Sequence, residues 1–166
     1  MGKTSGKKKT KDSKDDSSDA AGAAETGTET AEELKTRANA LVAASDHAGA
    51  LLLLNRAINM QPGDLHLYYS NRSLCAVSLQ KYELAIEDAN KCIALKADWP
   101  KGYSRLGAAL FFCGQIKEAA KAYAQGLSVD PTNETLLQGL QSANAALKQS
   151  ATPPSSTASG KAVADP

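Results

Sequence analysis

The chain has 166 residues, with 19 lysines and arginines against 18 aspartates and glutamates and a formal net charge of +1 at pH 7. This near balance provides no general attraction to nucleic acid or to acidic membrane surfaces, so neither class of partner is expected. No stretch approaches the roughly 20 consecutive apolar residues of a membrane span, and the first residues lack the apolar core of a signal peptide. The protein is therefore predicted to be cytoplasmic, with nuclear entry left open.

The two ends of the chain differ in composition from its middle. Residues 1–30 contain no aromatic or branched aliphatic residue, and residues 151–166 are rich in Ser, Ala, Thr and Pro. Such segments bury too little apolar surface to offset the entropy lost on ordering, so both ends are predicted to be disordered. The lysines near the N-terminus suggest nuclear import or RNA contact, but acidic residues of the same tail balance them and favour a solvated tail.

The middle of the chain repeats with a period of 34 residues. When residues 31–64, 66–99 and 100–133 are aligned, small residues recur in two columns: Ala50, Ala85 and Ala119, then Ala57, Cys92 and Gly126. Apolar residues follow helical spacing in each block, and the pattern breaks at Ser45-Asp46, Gln80-Lys81 and Cys113-Gly114. Each block is therefore predicted to be a hairpin of two helices.

Two prolines and a leucine-rich segment complete the predicted helical pattern. Pro62 and Pro131 mark helix ends, because proline lacks an N–H and disfavours a helical residue before it. Residues 133–149 carry leucines and alanines on one face, which predicts a seventh helix covering the open end of the stack. One folded domain over residues 31–150 is expected.

The period, the prolines and the small-residue columns resemble those of the tetratricopeptide repeat (TPR). This resemblance implies an all-α fold: three TPR helix hairpins and a C-terminal capping helix in a right-handed superhelical solenoid. The first helices of the hairpins would then line a concave groove.

Five polar side chains fall on one face of these first helices: Lys35, Asn39, Asn71, Lys101 and Arg105. Two lysines and an arginine supply charged donors, and two asparagines supply neutral donors of fixed direction. Such a set suits carboxylates, because charge-assisted hydrogen bonds are stronger than neutral ones. A chain terminus that ends in aspartate offers two carboxylates side by side. Among acidic residues of the predicted domain, only Glu32 is expected on the groove face.

The strings ELKTRAN, YYSNRS and DWPKGYSR are similar to the clamp segments of dicarboxylate-clamp TPR co-chaperones, above all those of the first TPR domain in the stress-inducible Hsp-organising family. That resemblance implies binding of the C-terminal Glu-Glu-Val-Asp peptide of cytosolic heat-shock chaperones. It implies that Lys35, Asn39 and Asn71 hold the terminal α-carboxylate. Lys101 and Arg105 would meet the aspartate side chain and neighbouring carboxylates.

The same resemblance implies an apolar pocket for the aliphatic residues of the peptide, formed by Leu74, Val77 and Phe112. The 70-kDa chaperone class is favoured over the 90-kDa class. Two positions depart from the clamp pattern: Ala38 replaces a usual glycine, and Phe111 stands at a groove-side position that is polar in the close relative. Ala38 is expected to be harmless, whereas Phe111 could change which upstream peptide residues are accepted.

No nucleophile with its base, acid and base pair or metal-ligand set is visible, so neither an enzyme nor a cofactor is expected. Cys75, Cys92 and Cys113 lie within the helical frame and are predicted to be small buried hydrophobes. The protein is expected to be a monomeric adaptor. The alternative is a TPR scaffold subunit of a larger assembly that binds a different partner through its convex face or its tails.

Overall fold

Seven α-helices and no strands form the regular structure of residues 29–151, the part of the chain that this computed structural model describes. In chain order the helices are α1 (Ala31–Ala43), α2 (His47–Asn59), α3 (Leu65–Ser78), α4 (Tyr82–Leu95), α5 (Pro100–Phe112), α6 (Ile116–Val129) and α7 (Glu134–Ala151). The predicted all-α fold of three hairpins and a seventh helix is confirmed. The disorder predicted for the two ends concerns residues 1–28 and 152–166, which lie outside the described residues.

Each hairpin reverses direction through one residue in the left-handed conformation. Ser45, Gln80 and Gly114 have φ angles of 64°, 58° and 84°, and they occupy equivalent positions in the three blocks. The amide of the following residue donates to a carbonyl five residues earlier at 2.8–2.9 Å: Asp46 to Leu41, Lys81 to Ala76 and Gln115 to Leu110. This Schellman arrangement ends the first helix of each hairpin and turns the chain back.

The folded region begins before residue 31. The Thr30 hydroxyl accepts a hydrogen bond from the Glu33 amide at 3.3 Å, and the Glu33 carboxylate accepts one from the Thr30 amide at 2.7 Å. This capping box fixes the start of α1. Glu29 pairs with Arg37 of α1 and Arg56 of α2. Glu29 and Thr30 therefore belong to the folded domain, although composition assigned them to the tail.

Small residues allow the helices to approach closely. The alanines and the cysteine of the two repeating columns are fully buried, and Gly126 is buried as well. A Cβ on Gly126 would lie 2.7 Å from a methyl of Leu136 and 2.8 Å from the Tyr103 Cβ, so α6 packs on α5 and α7 without room for a side chain. Cys75 is buried as predicted, whereas Cys113 is only half-buried.

The first helices of the hairpins form the inner layer of the stack. Helix α1 contacts α3, α3 contacts α5, and α5 contacts α7. Within residues 29–151 the second helices α2, α4 and α6 make no such contacts with one another. Because the first helices are the ones that touch, the stack curves with these helices on its concave side. None of the described helices combines the length and apolar character that a bilayer crossing requires.

Candidate functional site

All five polar residues selected from the sequence lie on the inner helices. Lys35 and Asn39 are on α1, Asn71 is on α3, and Lys101 and Arg105 are on α5. The Asn71 Nδ2 donates a hydrogen bond to the Asn39 Oδ1 at 3.0 Å. This bond joins the two amides across neighbouring hairpins and leaves the Asn39 amide nitrogen available as a donor.

Lys35 is held by an acid and an aromatic ring. Its Nζ lies 2.6 Å from the Glu32 Oε2 and 5.2 Å from the centroid of the Tyr68 ring. The Tyr68 hydroxyl donates to the same Glu32 oxygen at 3.3 Å. The hydrogen bond from Lys35 lowers the pKa of the Glu32 carboxyl, while burial, followed by the Glu32 charge, raises the pKa of Tyr68. Glu32 is thus part of the groove, as the spacing predicts.

Lys101 and Arg105 lie one helical turn apart on α5. Burial lowers the pKa of both groups, and the nearby Arg105 charge further lowers the pKa of Lys101. The Arg105 Nε is buried and has no hydrogen-bond partner among the described residues. No carboxylate of residues 29–151 pairs with either cation within 4.0 Å. This end of the groove therefore carries positive charge that the described part of the protein does not neutralise.

An apolar cavity of about 400 Å³ adjoins Arg105. It lies between the α3–α4 turn and α5, and its wall consists of Leu74, Val77, Ser78, Gln80, Tyr82, Arg105, Ala108 and Phe112. The structure thus brings the three predicted apolar residues together with Arg105, one of the two cations predicted for the clamp on α5. Phe112 is 60% exposed at the rim. Phe111 is half-buried, packing against the second core cluster and edge-on against Phe112 with ring centroids 5.8 Å apart.

Two aromatic residues that sequence reasoning missed contact the two lysines of the predicted clamp. Tyr68 lies beneath Lys35, and the Trp99 ring centroid is 5.7 Å from the Lys101 Nζ. Trp99 also packs edge-on against His66 at 5.1 Å. The Trp-x-Lys spacing could have indicated the second contact. Tyr68 comes from a different helix than Lys35, so no local pattern points to the first.

Comparison with known families supports the repeat assignment. Residues 67–98 and 100–133 match the family model described as tetratricopeptide repeat. These stretches correspond to the α3–α4 and α5–α6 hairpins. The α1–α2 hairpin has a similar length, the same turn geometry and the same small-residue columns.

Two relatives share much of this sequence. The chain is 45% identical over 121 residues to the heat shock protein sti1 homolog of Schizosaccharomyces pombe, and 43% identical over 132 residues to the Hsp70-Hsp90 organizing protein of Triticum aestivum. The alignments cover 73% and 80% of this chain but 20% and 22% of those relatives. The chain therefore spans about a fifth of their length.

Two solved structures share the fold. The second TPR domain of human RPAP3, in complex with the HSP70 peptide SGPTIEEVD, is 27% identical with a TM-score of 0.64, covering 69% of this chain and 94% of that one. The first TPR of Spaghetti (RPAP3), bound to the HSP90 peptide SRMEEVD, is 28% identical with a TM-score of 0.66. This match covers 72% of the present chain and 96% of the Spaghetti domain. With its repeating hairpins, its family match over residues 67–98 and 100–133 and these likenesses, residues 31–151 of the chain form a fold of tetratricopeptide repeats.

Proposed function

We propose that residues 31–150 form the binding domain of a co-chaperone-type adaptor, which binds the C-terminal Glu-Glu-Val-Asp peptide of heat-shock chaperones through a two-carboxylate clamp. The observation that carries this proposal is the α5 end of the groove. Arg105 has a buried Nε without a hydrogen-bond partner among residues 29–151, Lys101 lies one turn away, and neither cation pairs with a described carboxylate. A ligand carboxylate would satisfy both cations and restore the interactions that burial removes.

The peptide terminus provides two carboxylates for the two ends of the clamp. In this arrangement Lys35, Asn39 and Asn71 bind the α-carboxylate, and Lys101 and Arg105 bind the aspartate side chain. The Asn39–Asn71 hydrogen bond supports the assignment, because it fixes both amides before the ligand arrives. Fixing donors in advance reduces the entropy lost on binding.

The likenesses support the same ligand. The peptides bound to the two RPAP3 domains come from different chaperone classes, but both end in EEVD. The relatives in yeast and wheat are named as heat-shock and Hsp70-Hsp90 organizing proteins. Because this chain spans about a fifth of those relatives, the proposal concerns the peptide-binding domain and extends to none of their other activities.

We favour the 70-kDa chaperone class. The residue before EEVD is isoleucine in the HSP70 peptide and methionine in the HSP90 peptide. The cavity formed by Leu74, Val77 and Phe112 lies next to Arg105 and would receive this residue. Isoleucine loses less rotamer entropy than methionine when it is immobilised, so the same buried contact gives tighter binding. We further propose that the protein acts in the cytoplasm as a monomeric, non-catalytic adaptor with no nucleic-acid or membrane partner.

Fluorescence polarisation with tail peptides of both chaperone classes tests the proposal. We expect saturable binding that Lys101→Ala and Asn39→Ala each weaken at least about tenfold, since each removes a hydrogen bond to a charged group. Lys117→Ala removes an exposed charge from α6, outside the inner layer, and should leave the affinity unchanged. Amidation of the peptide terminus should abolish binding, and added salt should weaken it.

Two results would contradict the proposal. The first is the absence of binding to tail peptides of either class. The second is a chaperone pull-down that survives Lys101→Ala but is lost on substitution of residues on α2, α4 and α6, which would favour the scaffold alternative. Tighter binding of the 90-kDa peptide would overturn the class preference alone.

A further inference from the structure

The Glu32 carboxylate occupies a position that a ligand carboxylate would have to share. Its Oε2 is 2.6 Å from the Lys35 Nζ and accepts the Tyr68 hydroxyl hydrogen bond at 3.3 Å. The Lys35 ammonium is also 5.2 Å from the centroid of the Tyr68 ring. The lysine that the proposed function assigns to the α-carboxylate is therefore paired with an acid of its own helix.

We propose that Glu32 is an internal competitor for the Lys35 ammonium and lowers the affinity of the groove for a C-terminal carboxylate. This inference rests on the proposed function and adds to it a residue that opposes binding. An ammonium has three N–H donors, so Lys35 can contact Glu32 and the ligand together. The two carboxylates would then lie about 5 Å apart, where like charges repel enough to change a binding constant about three- to tenfold.

The contacts favour competition over positioning. The Lys35 side chain is 15% exposed, whereas the Glu32 side chain is 67% exposed at the solvent end of the groove. The Tyr68 ring is buried beneath Lys35 and holds the ammonium by a cation–π contact that does not require Glu32. Removal of the Glu32 charge should therefore leave Lys35 in place and free one of its donors for the ligand.

Glu32→Gln tests this inference, with Glu87→Gln as the matched control. Glu87 is an exposed glutamate on α4 that pairs with Lys91, so its substitution makes the same change in net charge outside the inner layer. We expect Glu32→Gln to bind an EEVD tail peptide about three- to tenfold more tightly than the wild type at low salt, and Glu87→Gln to bind as the wild type does. Tyr68→Phe keeps the ring but removes the hydroxyl that fixes Glu32, and should produce a smaller gain.

Two results of the binding experiment would contradict the proposed role of Glu32. Unchanged or weaker binding by Glu32→Gln overturns the inference, and weaker binding would mean that Glu32 orients Lys35 for the ligand. An equal gain in Glu32→Gln and Glu87→Gln overturns it as well, because the gain would then reflect net charge. Failure of the proposed function is distinguishable: in that case neither the wild type nor Glu32→Gln binds the tail peptide.

Discussion

Arg72 and Asp88 form a buried ion pair between α3 and α4 that is separate from the clamp. The Arg72 Nε and one terminal nitrogen donate to the two Asp88 oxygens, both at 2.7 Å, and the other terminal nitrogen donates to the Asn55 Oδ1 at 2.8 Å. The hydrogen bonds that Arg72 donates to Asp88 raise the pKa of the Arg72 guanidinium. Together with Asn55 on α2, the pair therefore links α2, α3 and α4.

We expect Asp88→Asn to destabilise the domain by about 3 kcal/mol, because it leaves the guanidinium buried without its counter-charge. Urea unfolding followed by circular dichroism measures this loss. Glu87→Gln, one residue earlier in an exposed pair, should have little effect. A loss below about 1 kcal/mol for Asp88→Asn would show that water or a rearranged side chain compensates Arg72.

Two buried serines on α3 should respond in opposite directions. The Ser70 Oγ is buried without a hydrogen-bond partner in the described residues, whereas the Ser73 Oγ donates to the Ala85 carbonyl at 2.9 Å. Ser70→Ala removes an unsatisfied group and should stabilise the domain by about 1 kcal/mol, and Ser73→Ala should destabilise it by about 1 kcal/mol. Thermal unfolding of the two variants side by side tests the difference. The same sign for both would contradict the contrast.

At this scale the sequence predicts positions on a helix face but not the partners across helices. The clamp residues share a spacing that can be read from the sequence. The contacts of Lys35 with Tyr68 and of Arg72 with Asp88 join residues on different helices, so they depend on how the helices pack. The Glu32–Lys35 pair is local and could be predicted from its i,i+3 spacing. The proposed competition between Glu32 and a ligand carboxylate, by contrast, depends on the three-dimensional arrangement of the groove.

The three hairpin turns share one geometry but not one residue type. Glycine is suited to the left-handed conformation because it has no Cβ, and it occupies the turn position only at Gly114. Ser45 and Gln80 adopt the same conformation with a side chain, which costs about 1 kcal/mol relative to glycine. The first two turns are therefore less stable locally than the third.

We expect Ser45→Gly to raise the stability of the domain by about 0.5–1 kcal/mol, because glycine relieves the left-handed strain. Gly114→Ala should lower it by about the same amount. Differential scanning calorimetry at equal protein concentration provides both values. If Gly114→Ala melts with the wild type, the turn conformation would contribute little to stability.

At the scale of the whole domain, residues 29–151 form an array in which each helix contacts only its near neighbours. Two core clusters run along it, one around Leu34, Leu54 and Cys75 and the other around Tyr123 and Leu136, and Ile86 packs against both. In such arrays stability is a sum of local units and the interfaces between them. Opening at one end therefore need not unfold the other.

Gly139→Ala should test this independence. A Cβ on Gly139 would lie 2.5 Å from the Tyr123 ring. The same ring packs against Gly107 of α5, where an added Cβ would lie 2.4 Å away. We expect a loss of about 1–3 kcal/mol from the resulting overpacking. Hydrogen exchange should become faster in α6 and α7 and remain unchanged in α1 and α2. Uniform acceleration across all helices would instead mean that the domain unfolds as one cooperative unit.

The period of the sequence predicted six helices and their pairing into hairpins, because small residues in fixed columns indicate repeated close helix contacts, and the apolar face of residues 133–149 predicted the seventh helix. The period did not predict where the folded region starts, since Glu29 and Thr30 are ordered by individual partners in α1 and α2. The resemblance to clamp domains placed Phe111 at a groove-side position, whereas the half-buried Phe111 side chain packs against the second cluster. Side-chain direction at neighbouring positions such as Phe111 and Phe112 depends on the tilt of α5 against α7.

The unequal packing of the two layers has a mechanical consequence. The inner helices touch one another, whereas the described outer helices are joined only through them. The array can therefore bend by changing the spacing of its outer helices, while the direct contacts between inner helices keep the concave side together. The amides of the proposed clamp lie on α1 and α3, and its two cations, which pair with no carboxylate of residues 29–151, lie on α5. The distance between these two halves therefore changes with the curvature of the stack. The width of the proposed binding groove is thus geometrically coupled to the curvature of the described helices.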